Sequence, residues 1–328
     1  MDNKIDFVIC WVDSKDEEWQ KEKAEFSPDI MTDNRDIRYR DFDNLQYWFR
    51  GVEKHAPWVN KIHFITWGHL PSWLNTNHPK LNIVKHEDYI PKEYLPTYSA
   101  RPIEVNLHRI EELSEQFVYF NDDMFIVKPV KSTDFFLEGY PRDIAAIDIA
   151  IKADEIHGSA AQNSIYIINK YFDKKKSIRK NFSKWYNPIY GKYLIKTLLL
   201  SPWNYFTGFH VSHLPNAFLK STFIEVWEKE SDRLIFTSSN KFRNKSDLTQ
   251  YIFKFWQLAS GNFKPGKAMG KNFNLGKNLE SAVTAIEKQN YKLICLNDSD
   301  LINDFEKTKE KINQSFNKIF PDKSKFEI

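Results

Sequence analysis

The chain has 328 residues, enough to bury a large core, and its 47 basic and 44 acidic residues leave a net charge of only +3. A nearly neutral molecule of this size has no global field for a polyanion, so no nucleic acid is expected as a partner. The N-terminus lacks the basic start and small-residue cleavage site of a secretory leader, and no run of about 18 apolar residues is present to span a bilayer. The reading is therefore of a cytoplasmic protein. Cys10 and Cys295 sit in apolar runs and are expected as reduced core residues. Aromatic residues make up 16% of the chain, with ten Trp, which suits either the gripping of sugar rings, a membrane surface, or an aromatic-rich core.

Phe7 to Val12 reads as a buried strand that delivers Asp13 to its tip. Residues Lys15 to Asp36 show no steady period and predict a loop or flap. Phe42, Leu45, Phe49 and Val52 recur at helical spacing, with Asp41 and Asp43 as start signals. Ile62 to Trp67 and Leu81 to Val84 predict two more strands. Ile103, Leu107, Ile110 and Leu113 then predict a helix whose other face presents Glu104, His108 and Glu111. That helix leads into FVYFNDDMFI at 117–126, a strand that stops on Asn121-Asp122-Asp123. Paired aspartates at a strand end either close it through an Asx turn or hold a divalent cation against a ligand. Ile144 to Ile151 and Tyr291 to Leu296 predict further strands, the latter stopping on Asn297-Asp298. Ile302, Phe305, Ile312, Phe316 and Ile319 mark a final helix. Strand, helix and strand in alternation predict an α/β fold with a largely parallel, doubly wound sheet.

Between residues 170 and 209, nine Lys and Arg face the single acid Asp173, with Trp185, Tyr190, Trp203, Tyr205 and Phe206 interleaved. Such a segment either rests on anionic lipid headgroups or forms a solvated helical face beside core aromatics. Three apparent motifs are set aside. Asp41-Phe42-Asp43 opens a helix and is explained by capping. His210 and His213 form half a zinc site without a second half, and Gly68 and Gly270 belong to no phosphate-binding loop.

Four segments in order resemble the blocks of the Stealth family of sugar-1-phosphate transferases. These are IDFVICWVDSKDEEW at 5–19; RYRDFDNLQYWFRGVEKHAPWVNKIHFIT continuing to HRIEELSEQFVYFNDDMFI; HLPNAFLKSTFIEVWEKE with FRNKSDLTQYIFKFW; and YKLICLNDS with FPDKSKFEI. The resemblance implies one catalytic domain over 1–328 on a Rossmann-like, GT-A-like sheet, with an inserted helical, basic-aromatic subdomain at about 165–210. It also implies transfer of hexose-1-phosphate or N-acetylhexosamine-1-phosphate from a UDP-sugar to a hydroxyl of a lipid-linked oligosaccharide or polysaccharide precursor. A phosphodiester forms, UMP leaves, and the work is done at the inner face of the cell membrane.

Such a reaction needs diphosphate charge neutralised, an acceptor proton removed, and donor and acceptor held in line. Asp122, Asp123 and Asp13 are the expected holders of Mg²⁺ or Mn²⁺. His213 is the expected base, since imidazole titrates near neutral pH, with His108 as a further catalytic candidate. Arg38, Arg109 and Arg243 supply fixed positive charge, and Glu104, Asn121 and Asn297 contact the ligand. The chain departs from the family pattern at Trp67-Gly68-His69 and at Arg101, where a His is often found; both are expected near the pocket. The same aspartates would equally serve a metal-dependent glycosyltransferase that releases UDP, and a non-catalytic carbohydrate-binding protein is the alternative from another class.

Overall fold

In the computed structural model, residues 4–27, 40–150 and 157–328 are described. Strands β1 (Ile5–Cys10), β2 (Ile62–Thr66), β3 (Leu81–Lys85) and β4 (Gln116–Phe120) run parallel in the order β3-β2-β1-β4. β1 and β4 have both faces covered, and their alternating side chains feed two separate cores. Phe7, Ile9, Val118 and Phe120 point into one, and Val8, Phe117 and Tyr119 into the other. The doubly wound, largely parallel sheet expected from the strand-helix alternation is therefore present.

The connections depart from expectation in places that matter for the site. Helix α1 (Glu17–Phe26) occupies part of the stretch expected to be a loop, capped by Asp16, whose carboxylate accepts from Trp19 N at 2.8 Å. Residues 28–39 of that stretch lie outside the described residues. Helix α2 (Leu45–His55) follows Asn44, and neither Asp41 nor Asp43 caps it. After the four-residue α3 (His86–Tyr89), helix α4 covers only Ala100–Val105 and gives way to a 3-10 turn at Leu107–Arg109. Glu104 and His108 therefore do not share a helix face. Asn106 explains the break: its side-chain amide donates to Pro102 O at 2.8 Å and to Ser238 Oγ at 2.9 Å, competing with the helical ladder.

The expected strand 117–126 is two strands. Met124 N donates to Asn121 O at 3.1 Å, closing a turn that carries the chain from β4 into β5 (Met124–Ile126) in a second sheet. α5 (Ser132–Phe135) and the short strands β6 (Phe136–Leu137) and β7 (Tyr140–Asp143) follow. Up to Ala150 the predicted strand at 144–151 is only an isolated bridge, Ile147 to Phe209, and Ile151 lies outside the described residues.

The basic-aromatic stretch is helical: α6 (His157–Tyr171), α7 (Lys174–Lys180), α8 (Phe182–Trp185) and α9 (Tyr193–Leu199). Trp185 is fully buried there against Phe206, Phe209 and Phe263. β8 (Asn216–Leu219) then adds to the main sheet antiparallel to β4. Helices α10 (Lys220–Lys229), α11 (Ser231–Ser239) and α12 (Tyr251–Ser260) cover one face.

After the two-residue β9 (Lys264–Pro265), β10 (Gly270–Asn274) and β11 (Leu293–Asn297) flank helix α13 (Leu275–Glu287). The second sheet has the order β10-β11-β5, so the strand expected at 291–296 lies outside the main sheet. α14 (Phe305–Ile319) is the predicted final helix, and Phe316 packs on Tyr47 and Phe125. The C-terminal tail locks onto α2 through Arg50, which donates to both oxygens of Glu327 at 2.9 and 2.6 Å. Gly51 of α2 is held tightly against β5: a Cβ there would lie 2.5 Å from Ile126 O. That contact fixes the strand immediately after the paired aspartates.

Candidate functional site

The carboxyl ends of β1, β4 and β11 and the segment entering β8 converge on the Asn121–Met124 turn. Because β8 is antiparallel to β4, its N-terminal side meets the carboxyl end of β4, which brings His213 to the aspartates. Asp123, His213 and Cys295 each offer a donor atom, all within 4.8 Å of one another, and this is the group of three such side chains found among the described residues. Asn121 Nδ2 lies 3.3 Å from His213 Nε2 and donates to it when that nitrogen is unprotonated. The Cys295 thiol is 3.2 Å from Asp123 Oδ2 and 2.9 Å from Asn297 Oδ1, so it can donate to either.

Asp123 Oδ1 is buried and has no hydrogen-bond partner. A carboxylate oxygen in that position is costly unless something positive or protic reaches it. Asp122 keeps an exposed side chain, yet the protein crowded around it pushes its carboxyl up to about 7, with Asp123 and Asp41 adding like charge. Burial likewise raises Asp123, against the attraction of His213 and the bond from Cys295. Burial and the Asp123 charge raise the Cys295 thiol well above its usual range, so it acts as a donor rather than a thiolate. Excess carboxylate charge and an orphaned oxygen suit a hard divalent cation on Asp122 and Asp123.

The remaining expected residues fall into three places. Asp13 lies in the loop after β1: its amide donates to His69 Nε2 at 2.7 Å and its carboxylate accepts from Lys15 N at 2.9 Å, outside the three-donor group. His69 thus braces that loop. Glu104 is buried between β4 and the start of α12, accepting from Gln250 N at 3.2 Å and Tyr119 OH at 3.4 Å. Burial raises it, and Arg243 pulls the other way, which sets Arg243 near this carboxylate.

His108 and Arg109 are not brought to the aspartates. Their neighbours are on α10, which begins at the opposite end of β4: His108 lies against Phe223 and Trp227, and the Arg109 guanidinium stacks 4.7 Å from Trp227. Burial, with Arg109 and Lys220 nearby, pushes His108 down to about 3, which makes it a neutral packing residue. Arg101 is buried in an ion pair with Asp247 at 3.0 Å. Asn297 reaches the site through Cys295. Arg38 lies outside the described residues. The two histidines of the apparent half zinc site separate, His210 stacking on Tyr193 at 4.1 Å while His213 faces Asp123.

Two site residues escaped the sequence reading. Asp41 is close enough to raise Asp122, and it is tied to the β1 loop through Trp11 Nε1 at 3.4 Å. Its partner Asp43 has φ 47° and pairs with Lys309 of α14. Cys295 is the buried, reduced residue expected from its apolar run, but it also contacts Asp123, and its place two residues before Asn297 at a strand end is the signal for that.

Conserved region 2 of the Stealth proteins matches residues 38–143, which include Asp41 and Asn121-Asp122-Asp123. The capsular polysaccharide phosphotransferase WcwK of Streptococcus pneumoniae is 46% identical over 328 residues, spanning 99% of this chain and 98% of that one. The receptor polysaccharide phosphotransferase WefC of Streptococcus oralis is 40% identical over 333 residues, with 99% and 100% covered. The exopolysaccharide phosphotransferase cps2G of Lactiplantibacillus plantarum is 36% identical over 326 residues, with 98% and 96% covered. The chain belongs to the Stealth family. Among solved structures, the galactosyltransferase LgtC in complex with donor and acceptor sugar analogs aligns with a TM-score of 0.40 at 8% identity. That alignment covers 94% of this chain and 95% of LgtC, and it is too loose to carry chemistry across.

Proposed function

We propose that the protein transfers hexose-1-phosphate or N-acetylhexosamine-1-phosphate from a UDP-sugar to a hydroxyl of a cell-surface polysaccharide precursor. The observation that supports this most is the meeting of His213 with the Asp122-Asp123 turn at the carboxyl end of β4. The acceptor oxygen attacks the β-phosphorus, the bond from that phosphorus to the α-phosphate oxygen breaks, and UMP leaves. The sugar C1–O bond stays intact, so no glycosyl-enzyme intermediate is needed and the anomeric configuration is kept.

His213 takes the acceptor proton on Nδ1; its Nε2 then carries the hydrogen, and the Asn121 amide, turned to present its oxygen across the same 3.3 Å contact, accepts it and holds the imidazole in orientation. Mg²⁺ or Mn²⁺, when bound by Asp122 and Asp123, supplies charge neutralisation for the diphosphate. Arg243, beside Glu104, gives a permanently charged group for phosphoryl oxygens. The acceptor is carried on a lipid at the inner face of the membrane; no described helix is long and apolar enough to cross it. The test is incubation with a panel of UDP-sugars and an oligosaccharide acceptor, with nucleotide and product read by mass. UMP and a product heavier by one sugar phosphate support the proposal. UDP makes the protein a glycosyltransferase, and no turnover with any donor leaves a binding protein. Asp123→Asn and His213→Ala are each expected to lower kcat by at least about a hundredfold.

A further inference from the structure

The turn after α9 exposes large apolar side chains while its backbone is clamped from below. Trp203 is 57% exposed and Tyr205 69%, and on α9 Ile195, Leu198 and Leu199 are 59%, 53% and 69% exposed. An unclamped surface loop would fold such side chains inward or move with them. Here Lys174, itself only 1% exposed, sends its ammonium to Leu200 O at 2.6 Å and Trp203 O at 2.8 Å, neutralising the carbonyl end of α9. On the far side, Asn169 donates to Phe206 O and accepts from Phe206 N, both at 2.9 Å. The exposed Trp203–Tyr205 tip is thus held out between two polar anchors.

Cations lie on the neighbouring helix. Lys174 opens α7, so the clamp sets the turn beside a helix whose Lys175, Lys176, Arg179 and Lys180 are exposed and have no acidic partner among the described residues. Apolar and aromatic side chains flanked by unpaired cations match an interface where headgroups are anionic and acyl chains lie just below. A partner protein of ordinary composition would supply acids opposite specific lysines; a bilayer supplies a field of them.

We infer that α9, the Trp203–Tyr205 tip and the basic face of α7 dock the protein on an anionic lipid surface. The inference rests on the proposed function only for its purpose, which is to bring the site to a lipid-carried acceptor. Binding itself is read without donor or turnover, so the two can fail separately.

The test is co-sedimentation of the full chain with vesicles of phosphatidylcholine containing a quarter phosphatidylglycerol, and with phosphatidylcholine alone. Wild type is expected to partition onto the anionic vesicles, less at high salt and far less onto the neutral ones. Lys175→Glu/Lys176→Glu is expected to weaken partitioning by at least about thirtyfold, from roughly 1 kcal/mol lost per lysine near the surface. Leu199→Ser/Trp203→Ser should lose binding while keeping the wild-type melting curve and turnover on a short soluble acceptor. No partitioning by wild type, or equal partitioning by the variants, overturns the inference. So does a wild-type dimer in light scattering that the Leu199→Ser/Trp203→Ser variant dissociates, since the face is then covered by a second copy.

Discussion

Replacing Arg101 with Met removes one partner of a buried ion pair whose energetics can be worked from its contacts. The Asp247 carboxylate is fully buried and accepts from Arg101 Nη1 at 3.0 Å, Asn240 Nδ2 at 2.6 Å and Asn244 N at 2.7 Å. Without Arg101 it keeps, among the described residues, two neutral hydrogen-bond donors, a defect worth about 3–5 kcal/mol in comparable pairs. Arg101 also donates to Asn244 O at 2.5 Å, so the loop beside Arg243 loses a second tie. Against a total stability of roughly 5–15 kcal/mol, the loss should move the urea midpoint down by about 1 M or more. Asp247→Leu in the same chain removes the stranded charge, and the double variant should recover at least half of the loss. Urea unfolding of wild type, both single variants and the double variant gives the coupling energy directly. A coupling below about 0.5 kcal/mol would refute the pairing argument and return Arg101 to the ligand pocket.

Other perturbations reach the site and its supports. Cys295→Ala strips the thiol that lies 3.2 Å from Asp123 and should cost about 1–2 kcal/mol with a loss of kcat, whereas Cys295→Ser keeps a donor and should stay near wild type; thermal melts and turnover separate them, and equal behaviour of the two would remove the role given to the donor. Gly51→Ala puts a Cβ 2.5 Å from Ile126 O and should destabilise by about 1–3 kcal/mol in melts. His55 and His86 are buried, and burial pushes each down to about 4. Their folded forms bind fewer protons than the unfolded chain between about pH 4 and 6.5, so stability falls as pH drops through that window, by about 2 kcal/mol per histidine at pH 5. Asp122, raised to about 7, gains stability over the same window, so the histidine contribution is read by comparison: a change in urea midpoint from pH 7 to 5 that the His55→Phe and His86→Phe variants share with wild type would contradict it.

The main sheet was legible because β1, β2 and β4 are mostly apolar and buried on both faces, with Asp6, His63 and Gln116 as the chief polar interruptions, and local pattern suffices to find them. The paired aspartates were legible for the same reason, since they end such a run. What local pattern misses is set by distant partners. The capping assigned to Asp41 and Asp43 fails because Trp11 and Lys309 take those carboxylates instead. α4 stops early because Asn106 finds Ser238, 132 positions away. The break inside 117–126 is invisible to periodicity, since β5 is a three-residue strand whose pairing partner, β11, lies near the other end of the chain. His108 has the spacing of a site residue, and only the position of α10 shows that it faces Phe223 and Trp227.

Which bond breaks is the centre of the account, and oxygen labelling reads it directly. A UDP-sugar donor carrying ¹⁸O in the bridge between C1 and the β-phosphorus is turned over with an oligosaccharide acceptor, and both products are weighed. Attack at phosphorus leaves the label in the sugar-phosphate product and releases unlabelled UMP. Label appearing in released UDP would mean that the C1–O bond was cut, and the proposed phosphotransfer would be wrong.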